Sequence, residues 1–178
     1  ILKNLFNGYD KQKELLVSTA KLNGGIDNET LQADLEKLTK DTFTSQVSAP
    51  ELKIMLDSIP GEIQLHDANA MIQQEPRNLL FQLKNPKNFP NITYENKIKL
   101  SNQAKLVLAP QIKTQWNNVL AASAAGKDTP YFDMELAKEV LPKIQVDQMM
   151  QKKYIIDTTV DNKKILFSAP NKDLEEIV

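Results

Sequence analysis

The single histidine of the chain, His66, is the residue best suited to metal binding or acid–base chemistry. It lies one helical turn after Glu62 and directly before Asp67, so an imidazole and a carboxylate would share one face of a helix. A zinc site needs three or four converging ligands, and the chain contains no cysteine that could complete the set. No other motif adds a ligand at a matching spacing. We therefore predict no metal site and interpret His66 as a structural residue.

Nucleophilic catalysis has one candidate in the sequence. Ser18 and Lys21 are three residues apart, which is the serine–lysine spacing of penicillin-recognising enzymes, and both would lie on one face of a helix. Those enzymes also use a Lys-Thr-Gly motif, whereas Lys113-Thr114 is followed here by Gln115. The Gly-x-Ser-x-Gly elbow of α/β-hydrolases is absent from the sequence as well. We predict no catalytic serine.

Two carboxylate pairs could supply a general acid and a base for glycoside cleavage. Glu135 and Glu139 are one helical turn apart, and Glu175-Glu176 lie near the C-terminus. Such catalysis requires one acid whose pKa is raised by an apolar pocket in a cleft. The surrounding sequence indicates a solvated helix face instead. Because Gly24-Gly25 is not followed by Gly-Lys-Ser/Thr, a phosphate-binding loop is not indicated either. We predict no catalytic residue and no cofactor.

The single tryptophan, Trp116, is the remaining residue with functional potential. Ile112, Val119 and Leu120 surround it at helical spacing, which favours a core anchor. Tryptophan is also enriched among the residues that dominate protein–protein binding. The alternative is therefore a protein interaction surface formed by these four residues, and we take them as the candidate surface.

The composition excludes several classes of partner. Lys and Arg number 22 against 23 Asp and Glu, which gives a net charge of −1, whereas a nucleic-acid surface normally shows a basic excess. The longest apolar run, residues 106–109, is far shorter than the roughly 20 residues that span a bilayer. We therefore predict protein partners, no nucleic-acid surface and no transmembrane segment. Since the chain begins with Ile1 rather than methionine, we expect a fragment or a processed product.

Proline, glycine and capping residues predict the helices that must position these side chains. The predicted fold class is mainly α: an irregular bundle of about five to seven proline-kinked helices with a C-terminal β-hairpin. We predict helices over residues 9–22, 27–48, 50–74, 76–84, 94–125 and 133–152.

Particular residues predict where these helices begin, end and bend. Asp27, Thr93 and Asp133 are predicted N-caps, and Asn23-Gly24-Gly25 and Gly126 are predicted stops. Pro60-Gly61 either kinks or breaks the third helix, with both outcomes open. Pro110 leaves one bent helix or two, and we expect a further kink near Pro142.

The C-terminal part of the chain changes character. Residues 154–160 and 163–168 are rich in β-branched and aromatic side chains around Asp161-Asn162, which predicts a β-hairpin. A lone two-stranded hairpin is marginal in water, so we expect it to pack on the helices or on a neighbouring chain. Residues 171–177 are predicted to form a short last helix. The predicted domains are thus a helical domain, 1–152, and the hairpin with its terminal helix, 153–178.

Residues 75–104 contain a distinctive pattern of helix starts and stops. Its elements are Glu75-Pro76, Leu79-Leu80, Leu83, Asn85-Pro86, Phe89-Pro90-Asn91-Ile92-Thr93 and Asn102-Gln103-Ala104. This pattern resembles helical segments of large internal or tail-associated ejection proteins of phage virions, including murein-transglycosylase-bearing ones, and their prophage relatives. The loop and helix at 126–137 are similar to those that commonly follow, and the likeness covers about residues 20 to 150.

The resemblance implies a non-catalytic structural or assembly domain of a phage or prophage virion protein. It implies partners that are further copies of the chain or other virion proteins, located in the particle or else in the bacterial cytoplasm. Where such proteins cleave peptidoglycan, a separate domain has a catalytic glutamate in a Glu-Ser motif. This chain contains no Glu-Ser, so no catalytic residue is transferred to it.

Two alternatives to the virion role remain open. The chain could be the helical part of a peptidoglycan-cleaving enzyme whose catalytic domain lies outside it, with a cleft formed partly by Glu135 or Glu139. It could also be a bacterial adaptor or secretion-system interaction domain that binds a partner helix along the Trp116 face.

Overall fold

A computed structural model describes residues 2–22 and 28–168, with the side chains of residues 3–20 and 28–162. These residues form helices and no β-strand, so the predicted mainly α class is confirmed. The seven helices of this described part are α1 (Leu2–Leu22), α2 (Asn28–Phe43), α3 (Ala49–Gln74), α4 (Pro76–Lys84), α5 (Tyr94–Ala124), α6 (Met134–Val140) and α7 (Lys143–Ser168).

Three of the predicted helix boundaries are set by the expected local chemistry. The Asn96 backbone N–H donates to Thr93 Oγ1 at 3.3 Å, and the Leu136 N–H donates to Asp133 Oδ1 at 3.0 Å, so both residues are N-caps as predicted. Gly126 ends α5 with a φ of 64°, in the left-handed region that glycine tolerates best. The predicted cap Asp27 and the predicted stop at 23–25 lie outside the described residues.

The second helix is shorter than predicted because Ser48 begins the next one. α2 ends at Phe43, and the Glu51 carboxylate accepts hydrogen bonds from the Ser48 backbone N–H at 2.8 Å and from its hydroxyl at 2.6 Å. This is a capping arrangement for α3, and Pro50 is tolerated in the first turn because its missing N–H would have no helical partner. The hydrogen bonds from Ser48 hold the pKa of Glu51 below its ordinary value.

The internal prolines have different outcomes. Pro60 lies inside α3 and Pro110 inside α5, and each helix is continuous through its proline. Pro142 instead separates α6 from α7, where a kink within one helix was predicted. Leu141 adopts an extended backbone, with φ −97° and ψ 150°, as the residue before a proline prefers.

Gly61 permits a close approach between α3 and the loop that joins α4 to α5. A Cβ atom at position 61 would lie 2.7 Å from the backbone oxygen of Asn91. The Asn91 N–H donates to Gln64 Oε1 at 3.0 Å, one turn from the glycine. The loop backbone is therefore held against α3 at a point where only a residue without a Cβ fits.

The predicted C-terminal β-hairpin is wrong. α7 includes all the residues assigned to its two strands, and the predicted domain boundary between 152 and 153 lies inside this helix. Lys153 and Asp157 form an i,i+4 ion pair at 2.5 Å, a spacing that brings side chains together on a helix but holds them far apart along a strand. The hydroxyls of Thr158 and Thr159 donate to the carbonyls four residues earlier, which helps β-branched residues fit a helix. The predicted helix at 171–177 lies outside the described residues.

The chain divides into two compact units, Ile1–Ser101 and Asn102–Val178. In the first unit α2 packs against α1 and α3, and α3 packs against α4. One apolar cluster comprises Ala20, Leu31, Leu35, Ile59 and Ile63. Beside it, Phe43 contacts the rings of Phe6 and Tyr9, with centroid separations of 4.8 and 5.0 Å.

The second unit contains most of α5 together with α6 and α7. Its buried apolar side chains come from all three helices and comprise Ala104, Leu108, Ile112, Trp116, Val119, Ala137, Leu141 and Val146. The Trp116 ring meets Phe132, from the loop before α6, edge to face at 4.9 Å. Within the described residues of either unit, none of the helices combines the length and the apolar character needed to cross a bilayer.

Candidate interaction grooves

The first unit contains an open groove of about 640 Å³, which we call the α1–α3 groove. α1 supplies one wall, α3 supplies the other, and Leu35 of α2 lies between them. Its lining residues are Lys11, Lys13, Glu14, Leu15, Val17, Ser18, Leu35, Glu62, Ile63 and His66. The groove therefore contains the histidine, the serine and one of the carboxylates that the sequence singled out.

These groups do not converge on a common point. The Glu62 carboxylate pairs with Lys13 Nζ at 2.8 Å, and Asp67 Oδ2 accepts from Asn28 Nδ2 at 3.1 Å. The described residues hold no group of three histidine or carboxylate side chains that could bind a metal ion. His66 thus lies beside carboxylates that already have partners, and its structural role stays a prediction.

The Lys13–Glu62 pair joins α1 to α3 across the groove. Burial by itself would lower the pKa of Lys13, but the hydrogen bond and charge of Glu62, with smaller contributions from Tyr9 and Asp10, raise it above its ordinary value. Lys13 Nζ also lies 5.4 Å from the centre of the Tyr9 ring. A lysine held charged in this way is unsuited to act as a base at neutral pH.

The remaining catalytic candidates have ordinary structural contacts. The Ser18 hydroxyl donates to the Leu15 carbonyl at 3.0 Å, while the side chain of Lys21 lies outside the described residues. Glu135 is 84 % exposed and pairs with Lys138 at 2.7 Å. Glu175-Glu176 lie outside the described residues. The predicted Glu135–Glu139 pair therefore has one member in an exposed ion pair rather than in an apolar cleft.

The second unit has a groove of about 450 Å³ between α5 and α7, which we call the α5–α7 groove. Each helix contributes four residues at the spacing i, i+3, i+4 and i+7, which is one helical face. α5 provides Lys113, Trp116, Asn117 and Leu120, and α7 provides Gln145, Gln148, Met149 and Lys152.

The predicted interaction surface is only partly at this groove. Trp116 is 5 % exposed, Ile112 and Val119 are buried, and Leu120 is half-buried. Trp116 and Leu120 line the α5–α7 groove, while Ile112 and Val119 do not. Burial agrees with the core-anchor interpretation of three of these residues, and their role in binding a partner stays a prediction.

Two buried polar atoms at the α5–α7 groove lack a hydrogen-bond partner among the described residues. They are the indole Nε1 of Trp116, which is a donor, and Oε1 of Gln145, which is an acceptor. More than nine in ten buried polar groups in proteins are paired, so two orphans at one groove are unusual. This arrangement could not be predicted from the sequence, because it joins side chains from two helices whose contact was not predicted.

Sequence reasoning also missed a polar cluster that joins α5 to α7. Asp157 accepts a hydrogen bond from the Ser123 hydroxyl and pairs with Lys153 at 2.5 Å. The hydrogen bond from Lys153 and then that from Ser123 lower the pKa of Asp157. A carboxylate with a lowered pKa is a weak base, so it does not activate the serine. The i,i+4 spacing of Lys153 and Asp157 is visible in the sequence, but the contact of Asp157 with Ser123 could not be predicted from it.

Comparison of the chain with protein-family models, curated proteins and solved structures gives no match. The two grooves are therefore interpreted from their geometry and chemistry.

Proposed function

We propose that this chain is a non-catalytic structural domain of a phage or prophage virion protein, and that it acts by assembling with further copies of itself. The assembly role rests on helix α7, and the virion role rests on the resemblance over about residues 20–150. The two parts are tested separately.

α7 has too little packing within its own chain to account for its length. It has 26 residues, about 39 Å, and of the side chains described at 143–162 only that of Val146 is buried. Helices in proteins owe most of their stability to the packing of an apolar face. A helix of this length with one buried side chain over twenty residues is therefore suited to gain burial from a neighbouring molecule.

The exposed side chains of α7 are of the kind that such a neighbour would bury. Tyr154 is 72 % exposed and Ile144 is 67 % exposed, and Met150 and Ile155 are also exposed. Most soluble oligomers consist of identical subunits, in which the same patch on each copy is covered by the other. A second copy of the chain offers the same apolar residues, and we take it as the occupant of this face.

The positions of helix starts and stops support the virion part. Pro76 begins α4, α4 ends at Lys84 before Asn85-Pro86, and Thr93 caps α5. These residues are the ones through which the sequence resembles the helical segments of ejection proteins. The helix starts and stops thus lie at the residues that carry the resemblance. This agreement supports the proposal, and it does not involve a catalytic group.

The oligomeric state tests the assembly role. We expect sedimentation or light scattering to give a multiple of the 20.1 kDa chain mass. The double variant Tyr154→Lys/Ile155→Lys places charges on the exposed face of α7 and should give a monomer with an unchanged helical spectrum. Tyr131→Lys is the control, because Tyr131 is 86 % exposed but lies in the loop before α6. A monomeric parent chain at all concentrations would exclude assembly through α7.

Mass spectrometry of purified particles tests the virion role. We expect peptides of this chain in particles of the phage or induced prophage that encodes it. Their ratio to the capsid protein should stay constant through successive purification steps. Their loss on purification would remove the virion assignment and leave the assembly role intact.

A further inference from the structure

We propose that the α5–α7 groove binds an acidic peptide segment of a partner protein, with one peptide amide held between Trp116 and Gln145. This inference rests on the proposed role of the chain in protein binding and names a second partner site, lined by residues other than the exposed apolar ones of α7.

The two orphan atoms form a complementary pair. Trp116 Nε1 can only donate a hydrogen bond, and Gln145 Oε1 can only accept one. An amide group presents a carbonyl oxygen and an N–H, so it offers each atom its missing partner once the half-buried Gln145 side chain moves to admit it. Leaving a buried donor or acceptor unpaired is unfavourable, and a ligand that pairs both gains affinity by removing that penalty.

The need to pair both a donor and an acceptor argues against a simple anion as the ligand. Phosphate or a free carboxylate could accept from Trp116 Nε1, but neither offers an N–H to Gln145 Oε1. A nucleic acid is disfavoured as well. Trp116 is the one aromatic among the described residues that line the groove, and because it is 5 % exposed and packs edge to face on Phe132 it offers no stacking platform.

The charges at the groove indicate which peptides it prefers. Lys113 and Lys152 line it, one from each helix, and both are exposed, whereas none of the eight described residues that line it is acidic. Exposed lysines steer and orient carboxylates more than they add affinity, and their effect falls with ionic strength. Leu120 and Met149 supply apolar contacts, and the flexible methionine can adapt to different side chains.

Because Trp116 is the only tryptophan, its indole N–H gives one resonance in a nitrogen–proton correlation spectrum, and that resonance reports on the groove. The probe is the capped tetrapeptide acetyl-Glu-Leu-Glu-Leu-amide, and its matched control is acetyl-Gln-Leu-Gln-Leu-amide. We expect the acidic peptide to shift the indole proton downfield in a saturable way at low salt. The glutamine peptide should bind at least fivefold more weakly, and the difference should shrink at high salt.

Groove variants locate the binding. Lys113→Gln and Lys152→Gln should each weaken the acidic peptide about threefold, whereas Lys127→Gln, an exposed lysine outside the groove, should not change its affinity. Gln145→Leu removes the acceptor and should weaken both peptides by a similar factor. In the free protein this substitution should leave the indole resonance in place.

Three results would overturn the inference. The first is an indole resonance that neither peptide moves. The second is equal binding of the two peptides at low salt. The third is a Gln145→Leu variant whose indole resonance shifts in the free protein while peptide affinity is unchanged, since Trp116 and Gln145 would then pair with each other in solution. None of these results bears on the mass of the chain in solution, so the assembly role is judged independently.

Discussion

A hydrogen bond between two buried hydroxyl groups connects α1 to α2. The fully buried Thr39 donates its hydroxyl hydrogen to the Leu35 carbonyl at 2.7 Å and lies 2.9 Å from the Tyr9 hydroxyl. Because the hydrogen of Thr39 is already committed to Leu35, Tyr9 must be the donor in the second bond. A buried polar link between α1 and α2 is thereby fully satisfied. The sequence could not predict it, because the two hydroxyls are thirty positions apart.

The link between Asp157 and Ser123 makes the stability of the chain depend on pH. The pKa of Asp157 is lowered in the folded chain, chiefly by Lys153 and then by Ser123. The stabilisation that the Asp157 carboxylate contributes is therefore complete above its unfolded pKa near 3.8. It is lost as the pH falls through the lower pKa of the folded chain. We expect Asp157→Asn to lower the urea midpoint at pH 7 and to have a progressively smaller effect below about pH 4.

Asp147→Asn is the matched control for this measurement. It removes the same charge from the same helix at an exposed position, where the structure gives the carboxylate no ion-pair or hydrogen-bond partner within its described part. Its effect at pH 7 should be small by comparison. If Asp157→Asn lowered the urea midpoint by the same amount from pH 7 to pH 3, the role assigned to the ionised carboxylate would be contradicted.

A substitution at Gly61 tests whether α3 is held against the α4–α5 loop. We expect Gly61→Ala to destabilise the chain by about 1–3 kcal/mol, because its Cβ would meet the Asn91 backbone oxygen and the helix or the loop would have to move. Chemical denaturation measures the change. Gly8→Ala is the control: a Cβ there meets nothing within 4 Å, so the higher helix propensity of alanine should stabilise α1 by roughly 0.5–1 kcal/mol. Equal effects of the two substitutions would exclude the close approach.

Helix boundaries were predictable where their cause is local. Thr93, Asp133 and Gly126 act through atoms within a few residues, and the structure has them as expected. The outcome at Pro60 was not predictable, because a proline can either kink or break a helix and tertiary packing decides between the two. Ile59 and Ile63, on either side of Pro60, are buried. The hairpin prediction failed because a β-branched composition reports only a weak preference for strands, which the i,i+4 contacts of a helix can override.

The grooves were less predictable than the helices. The sequence shows which face of a helix is apolar but not which helices meet, so Trp116 and Leu120 were singled out while Gln145 and Lys152 were not. The pairing of α5 with α7 brings together residues about thirty positions apart. Candidate residues on one helix were therefore recoverable, and the site formed by two helices was not.

We expect this chain to lack peptidoglycan-cleaving activity. In a zymogram on purified cell wall, the chain should give no clearing beside an active muramidase on the same gel, since Glu135 is exposed and paired with Lys138. Clearing that disappears in Glu135→Gln or Glu139→Gln would restore the enzymatic alternative.

The contact between α3 and Asn91 uses only the main chain of that residue. Its N–H binds Gln64 and its carbonyl faces Gly61, while its exposed side chain is not required for either interaction. Natural selection at this point should accordingly act on positions 61 and 64 and tolerate drift at position 91. Distant homologues are thus better sought by a glycine followed three residues later by glutamine in a long helix than by the sequence of the loop itself.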